Sequence, residues 1–188
     1  MYKRQNTILD LVKSYNLHPI IGNEVIITIH RRENWDNLIY ILDEIYDIVK
    51  NMPNTHFTWI LHPNPFIRTQ ISEYIKTHAI ASNLIFSEPL NHPEMATRIA
   101  NSKFLITDSG GIQEEASFLG KHCYVIRKTT ERTSIPSRYI TLVPNIANLF
   151  SIIKSNTIEL LQPCEVYGDG NASDAFIQIY NQVLNNAN

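Results

Sequence analysis

Short β-branched segments alternate along this sequence with amphipathic segments of helical periodicity. Residues 24–30 read EVIITIH, a run that is too short for a buried helix and rich in β-branched side chains, which is typical of a buried strand. The next segment carries apolar residues at spacings of three and four, as expected for one face of a helix that ends near Pro53. Those apolar residues are Leu38, Ile41, Leu42, Ile45, Ile48 and Val49.

The same alternation continues to the end of the chain. It predicts further strands at residues 57–61, 84–86, 104–107, 124–127 and 139–143. It predicts further helices near residues 66–77, 93–100, 112–119, 146–154 and 172–184. Strands that are joined by helices form a parallel sheet with helices on both faces. We therefore expect a single α/β domain over residues 1–188, without internal repeats.

Composition excludes several classes of protein. With 188 residues, 44% of them hydrophobic, the chain can form one well-buried core. Its net charge of -2 argues against non-specific nucleic-acid binding, which needs a basic excess. The sequence has no apolar run of about 18 residues and no apolar signal segment at its start, so we expect no membrane partner.

The cysteines and histidines do not have the spacing of a metal site. Cys123 and Cys164 are the only cysteines, which favours a reducing, cytoplasmic location over a disulfide scaffold. The sequence contains no Cys-x-x-Cys and no His-Glu-x-x-His motif, and we predict neither a metal nor another cofactor. A serine hydrolase is also disfavoured, because no Gly-x-Ser-x-Gly motif occurs.

Polar and cationic residues follow the predicted strands. Ligands of open parallel sheets bind beyond the carboxyl ends of the strands, so these residues should meet at one edge and form an anion site. The strand ends carry His30-Arg31-Arg32-Glu33-Asn34, His62-Pro63-Asn64-Pro65, Ser87-Glu88-Pro89, Asp108-Ser109-Gly110-Gly111, and Arg127 followed by Thr130-Glu131-Arg132.

The segment Asp108–Ala116 follows a strand and opens a helix. Gly110 and Gly111 would let a phosphate approach the backbone, where free N–H groups and the helix dipole favour negative charge, and Ser109 would add a hydroxyl donor. One turn later, Glu115 is placed to accept hydrogen bonds from a ribose diol. The alternative is a purely structural turn, capped by Asp108 or Ser109. The two familiar glycine-rich phosphate motifs are absent.

The basic residues also allow two interpretations. His30-Arg31-Arg32 is either a solvated loop or the place where a histidine donates to a diphosphate or transfers a proton. With Lys128 and Arg138 nearby, Arg127 and Arg132 would place guanidinium groups on the same phosphates, or one of these arginines would only pair with Glu131. The remaining histidines are predicted to be surface or packing residues; they are His18, His56, His78, His92 and His122.

Five ordered segments of this chain resemble the non-hydrolysing UDP-N-acetylglucosamine 2-epimerases. They are TIHRREN at 28–34, HPNP at 62–65, TDSGGIQEEA at 107–116, TER at 130–132 and YGDGNAS at 167–173. Members of that family have two Rossmann-like domains in a GT-B arrangement, and the resemblance covers only the second, UDP-binding domain. It thus implies a single Rossmann-like parallel sheet, equivalent to the second half of a GT-B fold.

The resemblance implies an activity and a set of site residues. The family interconverts UDP-GlcNAc and UDP-ManNAc by removing the C2 proton, eliminating UDP and adding it back, with proton-transfer groups in the first domain. By position, Ser109, Gly110 and Gly111 would hold the diphosphate, and Glu115 would hold the ribose. His30 would contact the β-phosphate and assist departure of UDP, Arg132 would lie at the phosphate and sugar end, and Met95 would lie beside the uracil.

Three functions remain open from the sequence. The chain is an epimerase half that a homodimer or a separate chain carrying the first domain completes, or it is a catalytically inactive UDP-sugar-binding module. A GT-B glycosyltransferase fragment is disfavoured by the pairing of HRREN with DSGGIQEE.

Two departures from the family pattern are Thr133-Ser134-Ile135, where Pro-Glu-Ala is usual, and His122, where proline is usual. Without a first domain, two sets of apolar side chains need another burial surface, on each other or in a homodimer: Ile8, Leu9, Leu11 and Val12, and Phe176, Ile177, Tyr180, Val183 and Leu184.

Overall fold

A six-stranded parallel sheet forms the centre of the computed structural model, which describes residues 8, 10–167 and 172–186. Its strands are β1 (Glu24–Thr28), β2 (His56–Ile60), β3 (Leu84–Ser87), β4 (Ser102–Thr107), β5 (Cys123–Val125) and β6 (Ile140–Leu142). The helices are α1 (Leu38–Asn51), α2 (Pro65–Thr77), α3 (His92–Asn101), α4 (Gly110–Phe118), α5 (Leu149–Ser155) and α6 (Ala172–Asn186). Short 3-10 turns lie at Arg32–Asn34 and Ile146–Asn148.

The strand order creates a crevice in the middle of the sheet. The strands lie in the order β3-β2-β1-β4-β5-β6, so the chain runs outward from β1 to β3 and then returns to the other side of β1 as β4. The connections after β1 and β4 therefore leave in opposite directions, and ligands of such sheets bind at this switch point. The structure thus confirms the predicted single parallel α/β sheet of Rossmann type.

Both faces of the sheet are buried, as β1 illustrates. Val25 and Ile27 point into the core cluster that includes residues of α1 and α2, whereas Ile26 points into the cluster on the opposite face. All three side chains are completely inaccessible to solvent. A strand that is covered on both sides has no polar face, which explains why its sequence is a continuous β-branched run.

Local signals set where the helices begin. The Asn64 side chain accepts a hydrogen bond from the Phe66 backbone N–H at 2.9 Å, and proline occupies the first position of α2. Asn91 and Glu94 form a reciprocal capping box at the start of α3. These caps fix the helix starts that face the carboxyl edge of the sheet.

The structure confirms the predicted elements and corrects some of their ends. The strand predicted at 24–30 ends at Thr28, because the next backbone groups bond to the Asp108 side chain and not to a strand. The helix predicted at 146–154 opens with the 3-10 turn that precedes α5. The predicted strands at 124–127 and 139–143 are each only three residues long, as β5 and β6.

The segment around Ile8 and Leu11 and the last helix, α6, differ in burial. Ile8 and Leu11 are buried in the core cluster beside α3 and α4, so this segment does not need the external surface that the sequence suggested. In α6, by contrast, the apolar side chains of Phe176 and Tyr180 are exposed. The placements of Leu9, of the Leu184 side chain and of residues 168–171 lie outside the described residues. Among the described helices, none is long and apolar enough to cross a bilayer.

Candidate functional site

The ends of β1 and β4 meet at the centre of the site through Asp108. This carboxylate is completely buried and accepts hydrogen bonds from the backbone N–H of His30 at 3.0 Å and of Arg31 at 2.8 Å. It also accepts one from the Asn34 side chain at 2.9 Å. Asp108 therefore folds the loop after β1 and does not cap α4.

The His30 ring lies between Asp108 and a second histidine. Its Nδ1 is 3.4 Å from Asp108 Oδ1, and its ring stacks on His62 with 5.2 Å between the ring centroids. Burial lowers the pKa of His30; the charge of Asp108 opposes this, while His62 and Arg31 add to it. A half-buried imidazole with one nitrogen directed at a carboxylate is suited to hydrogen bonding or proton transfer through the other nitrogen.

The start of α4 forms a glycine turn beside this histidine, at residues 109–111. Ser109 is the N-cap residue, but its side chain makes no capping hydrogen bond. The side-chain cap by Asp108 or Ser109 that the structural alternative included is therefore absent. The turn presents a hydroxyl and the positive end of a helix dipole, which is an arrangement that favours an anion.

A cavity of about 440 Å³ opens next to this turn, between α3 and α4. Its lining includes Met95, Ser109, Gly111 and Glu115, four of the residues that the sequence placed in the site. Two larger surface grooves, of about 710 and 600 Å³, include none of the predicted site residues.

His92 is a site residue that sequence reasoning missed. It was expected to be a surface or packing residue, yet it lines the same cavity, and its Nε2 lies 3.2 Å from Glu115 Oε1. It stands at the first position of α3 and not at a strand end, so the strand-end argument did not find it. The Asn-His-Pro-Glu capping sequence is the one signal that places it at the sheet edge.

Arginine and glutamate side chains form a network around the glycine turn. Glu131 pairs with Arg31 at 3.0 Å and with Arg127, and Arg127 Nε also bonds Glu33 at 2.9 Å. Arg132 forms an ion pair with the buried Glu114 and lies 3.6 Å from Glu131. Both arginines pair with Glu131, Arg127 directly and Arg132 at 3.6 Å, and Arg132 also borders the turn beside Gly110.

The predicted residues thus converge on one edge of the sheet. His30 and the glycine turn lie at the switch point, with Arg132 beside Gly110 and with Met95 and Glu115 in the adjoining cavity. Arg138 is not part of this site, because it packs on Tyr139 and its carbonyl bonds His122. Among the described residues, no group of three or more His, Cys, Asp or Glu side chains is arranged to hold a metal ion.

Comparison with known proteins assigns the chain to a family. The family model described as UDP-N-acetylglucosamine 2-epimerase matches residues 7–181. The UDP-N-acetylglucosamine 2-epimerase of Campylobacter jejuni is 30% identical over 190 residues, which cover 88% of this chain and 47% of the relative. The enzyme of Salmonella borreze is 29% identical, over 92% of this chain and 47% of the relative.

Solved structures give the same assignment. The UDP-GlcNAc 2-epimerase of Neisseria meningitidis, solved bound to UDP-GlcNAc, superposes with a TM-score of 0.74 at 28% identity, covering 92% of this chain and 48% of that one. The Methanocaldococcus jannaschii enzyme, at 22% identity and a TM-score of 0.75, supports the fold. The chain spans about half the length of the relatives it matches. From the match over residues 7–181 and these likenesses, we conclude that the chain belongs to the UDP-N-acetylglucosamine 2-epimerase family.

Proposed function

We propose that this chain binds UDP-GlcNAc through its UDP group and acts as the nucleotide-binding half of a UDP-N-acetylglucosamine 2-epimerase. The observation that carries the proposal is that the Ser109 side chain makes no capping hydrogen bond at the start of α4. This residue lies between His30 and the cavity that contains Glu115. A diphosphate at the turn would leave the nucleoside in the cavity and the sugar toward His30. The Neisseria relative, which was solved with UDP-GlcNAc, supports this substrate class.

Each site residue has a proposed role. Ser109, Gly110 and Gly111 hold the diphosphate, Glu115 accepts hydrogen bonds from the ribose hydroxyls, and Met95 lies beside the uracil. His30 contacts the β-phosphate and assists departure of UDP, since its second ring nitrogen is free of the Asp108 contact. Arg132 lies at the junction of phosphate and sugar.

In the proposed reaction, UDP is eliminated from the substrate and then added back. A base removes the C2 proton as the bond from C1 to the diphosphate oxygen breaks, which gives a 2-acetamidoglucal and UDP. UDP then adds back at C1 while C2 is reprotonated from the opposite face, which gives UDP-ManNAc. The chain's proposed part is to bind UDP and to stabilise the charge that develops on the leaving diphosphate.

A partner is part of the proposal. The chain spans about half of its relatives, and α6 exposes Phe176 by 67%, Tyr180 by 53% and Val183 by 61%. Either a separate chain equivalent to the relatives' other half or a second copy of this chain would cover this apolar face. A cytoplasmic location, supported by the two buried free thiols, completes the proposal.

Proton NMR of the purified chain with UDP-GlcNAc in D₂O tests this function. Appearance of UDP-ManNAc with deuterium at C2 would support epimerisation by the chain itself. Broadening of UDP resonances without turnover would support a nucleotide-binding half that needs its partner. The second candidate, a catalytically inactive UDP-sugar-binding module or partner subunit, is favoured if UDP binds but no turnover occurs even after a chain carrying the first domain is added. If neither turnover nor broadening occurs, the proposed function is wrong.

A further inference from the structure

The carboxylate of Glu131 lies directly over the glycine turn. An ideal Cβ placed on Gly110 would be only 2.7 Å from Glu131 Oε1 and 3.1 Å from Arg132 Nη2. The space just outside the Gly110 backbone is therefore filled by a negatively charged side chain from the loop that follows β5. This is the space that a phosphate group must enter in order to contact the turn.

The surroundings of this carboxylate have the composition of an anion site. Arg31 and Arg127 pair with Glu131, and the Arg132 guanidinium lies within 3.6 Å of it. Burial opposes ionisation of Glu131, but hydrogen bonds from its own backbone N–H and from Arg127, with the charges of Arg127 and Arg31, lower its pKa to about 2. The group is consequently a full negative charge at neutral pH.

The geometry points to Glu131 as a built-in competitor for the diphosphate: its carboxylate lies where a phosphate would approach Gly110, and it must swing out for a phosphate to enter. This inference rests on the proposed function, because it takes the turn as the diphosphate site. It adds a residue that sets the affinity and the selectivity of that site for anions.

The loop allows Glu131 to leave without moving its neighbours. Thr130 Oγ1 donates to Gln113 on α4 at 2.8 Å and accepts from the Arg132 backbone N–H at 3.1 Å, and Ile135 is buried in the core. These contacts hold the backbone on both sides, while the Glu131 side chain is 40% exposed. Rotation of the Glu131 side chain removes the carboxylate from the space beside Gly110 and leaves the Arg132 guanidinium there, where it can meet a phosphate.

Such a competitor has a defined effect on binding. Glu131 holds the Arg31 and Arg127 guanidinium groups close to the turn, so an incoming diphosphate finds cations already in place. The same carboxylate must be displaced, and this subtracts from the free energy of binding. Weak or monovalent anions are therefore excluded more strongly than a diphosphate, which can replace several of the contacts at once.

Isothermal titration of UDP into the full chain and two matched variants tests the inference. Glu131→Gln removes the charge over Gly110. Glu33→Gln removes an equal charge from the same Arg127 network, but this residue is not among the nearest neighbours of Gly110. We expect Glu131→Gln to bind UDP about threefold to tenfold more tightly than the parent and Glu33→Gln to stay within about twofold. Uridine, which lacks phosphates, should bind the parent and Glu131→Gln equally.

Each outcome separates this inference from the proposed function. UDP binding by Glu131→Gln that is unchanged or weaker, or tightening that is equal in Glu33→Gln or also seen with uridine, would overturn the inference and leave the nucleotide site intact. Tighter UDP binding in Glu131→Gln alone, without a change in uridine binding, would support it. If the parent and both variants retain their folded spectra but none binds UDP, the proposed function fails and the inference fails with it.

Discussion

Asp108 holds both the backbone and the ring of His30, across 78 positions of sequence. Its carboxylate accepts from the His30 backbone N–H at 3.1 and 3.0 Å and lies 3.4 Å from His30 Nδ1. One buried charge thus sets the place of the histidine and directs one of its two nitrogens. In the proposed function the other nitrogen meets the ligand, and Asp108 would then be a positioning residue.

Replacing Asp108 by asparagine should lower the pKa of His30 further. The Asp108 charge raises that pKa against the effect of burial, and the neutral amide removes this contribution. We also expect the free energy of unfolding to fall by about 1–3 kcal/mol, because an NH₂ group cannot accept from the backbone donors. NMR titration of the His30 ring proton measures the first effect and urea unfolding the second. Asp43→Asn, which removes a carboxylate that bonds Tyr74, is the control, and a His30 pKa that rises in Asp108→Asn would contradict the assignment.

Removing the Ser109 hydroxyl or the Glu115 carboxylate should weaken UDP binding. We expect Ser109→Ala and Glu115→Ala each to lose about 1–3 kcal/mol, the usual cost of a hydrogen bond to a charged or polar ligand group. Fold stability should change little for Ser109→Ala, since this side chain makes no capping bond. Titration calorimetry gives the affinities, with Ser151→Ala on α5 as the matched control. If both site variants bind UDP as tightly as the parent, the nucleotide does not bind in this cavity.

A methyl group at Gly110 should separate folding from binding. The added Cβ would meet only the outer ends of the Glu131 and Arg132 side chains, which can rotate away. The free energy of unfolding of Gly110→Ala should therefore lie within about 1 kcal/mol of the parent's, since alanine is at least as good a helix former as glycine. The methyl nevertheless blocks close approach of a phosphate, so UDP affinity should fall by about tenfold or more. Thermal unfolding and UDP titration of the same sample measure both quantities, and unchanged UDP affinity would argue against contact between phosphate and this backbone.

Lys121 should make stability depend on pH in the alkaline range. Its side chain is completely buried and donates to the carbonyl groups of Ile20 and of Ser102, the latter at 2.9 Å. Burial lowers the pKa of Lys121 from 10.5 to about 8, so between these values the unfolded chain binds more protons than the folded one. The free energy of unfolding contributed by Lys121 should therefore rise with pH across this window, by about 2–4 kcal/mol, and be constant below it. Urea unfolding of the parent and Lys121→Met from pH 7 to about pH 11 measures the difference; parallel curves would disprove the effect.

The sequence was informative wherever a local pattern decides the structure. The β-branched run of β1 and the asparagine-proline starts of α2 and α3 are short-range signals, and the structure follows them. The strand-end argument was also sound, because topology brings the carboxyl ends of β1 and β4 together. It correctly predicted that His30 and the residues that follow β4 lie together at this edge of the sheet.

Contacts between separate loops could not be predicted in the same way. The place of Glu131 over Gly110 depends on side-chain rotation in a loop without regular structure. The pairing of His92 with Glu115 depends on the angle between α3 and α4. Lys121 lies between a turn and a strand, where a lysine is typical of the surface, and only tertiary packing buries it.

The pairing of β1 with β4 has a kinetic consequence for the chain as it is synthesised. One edge of β1 pairs with β2, the next strand in the sequence. Its other edge pairs with the more distant β4, with Thr28 opposite Thr107. Until that distant segment has left the ribosome, a strand whose central residues 25–27 are fully buried in the finished fold presents an open edge, the kind of surface on which nascent chains associate wrongly. Closing this edge also brings Asp108 to His30, so the site forms in the step that ends the exposure. Pairing of β1 with β4 would thus protect the newborn chain and bring the residues of the candidate site together at the same time.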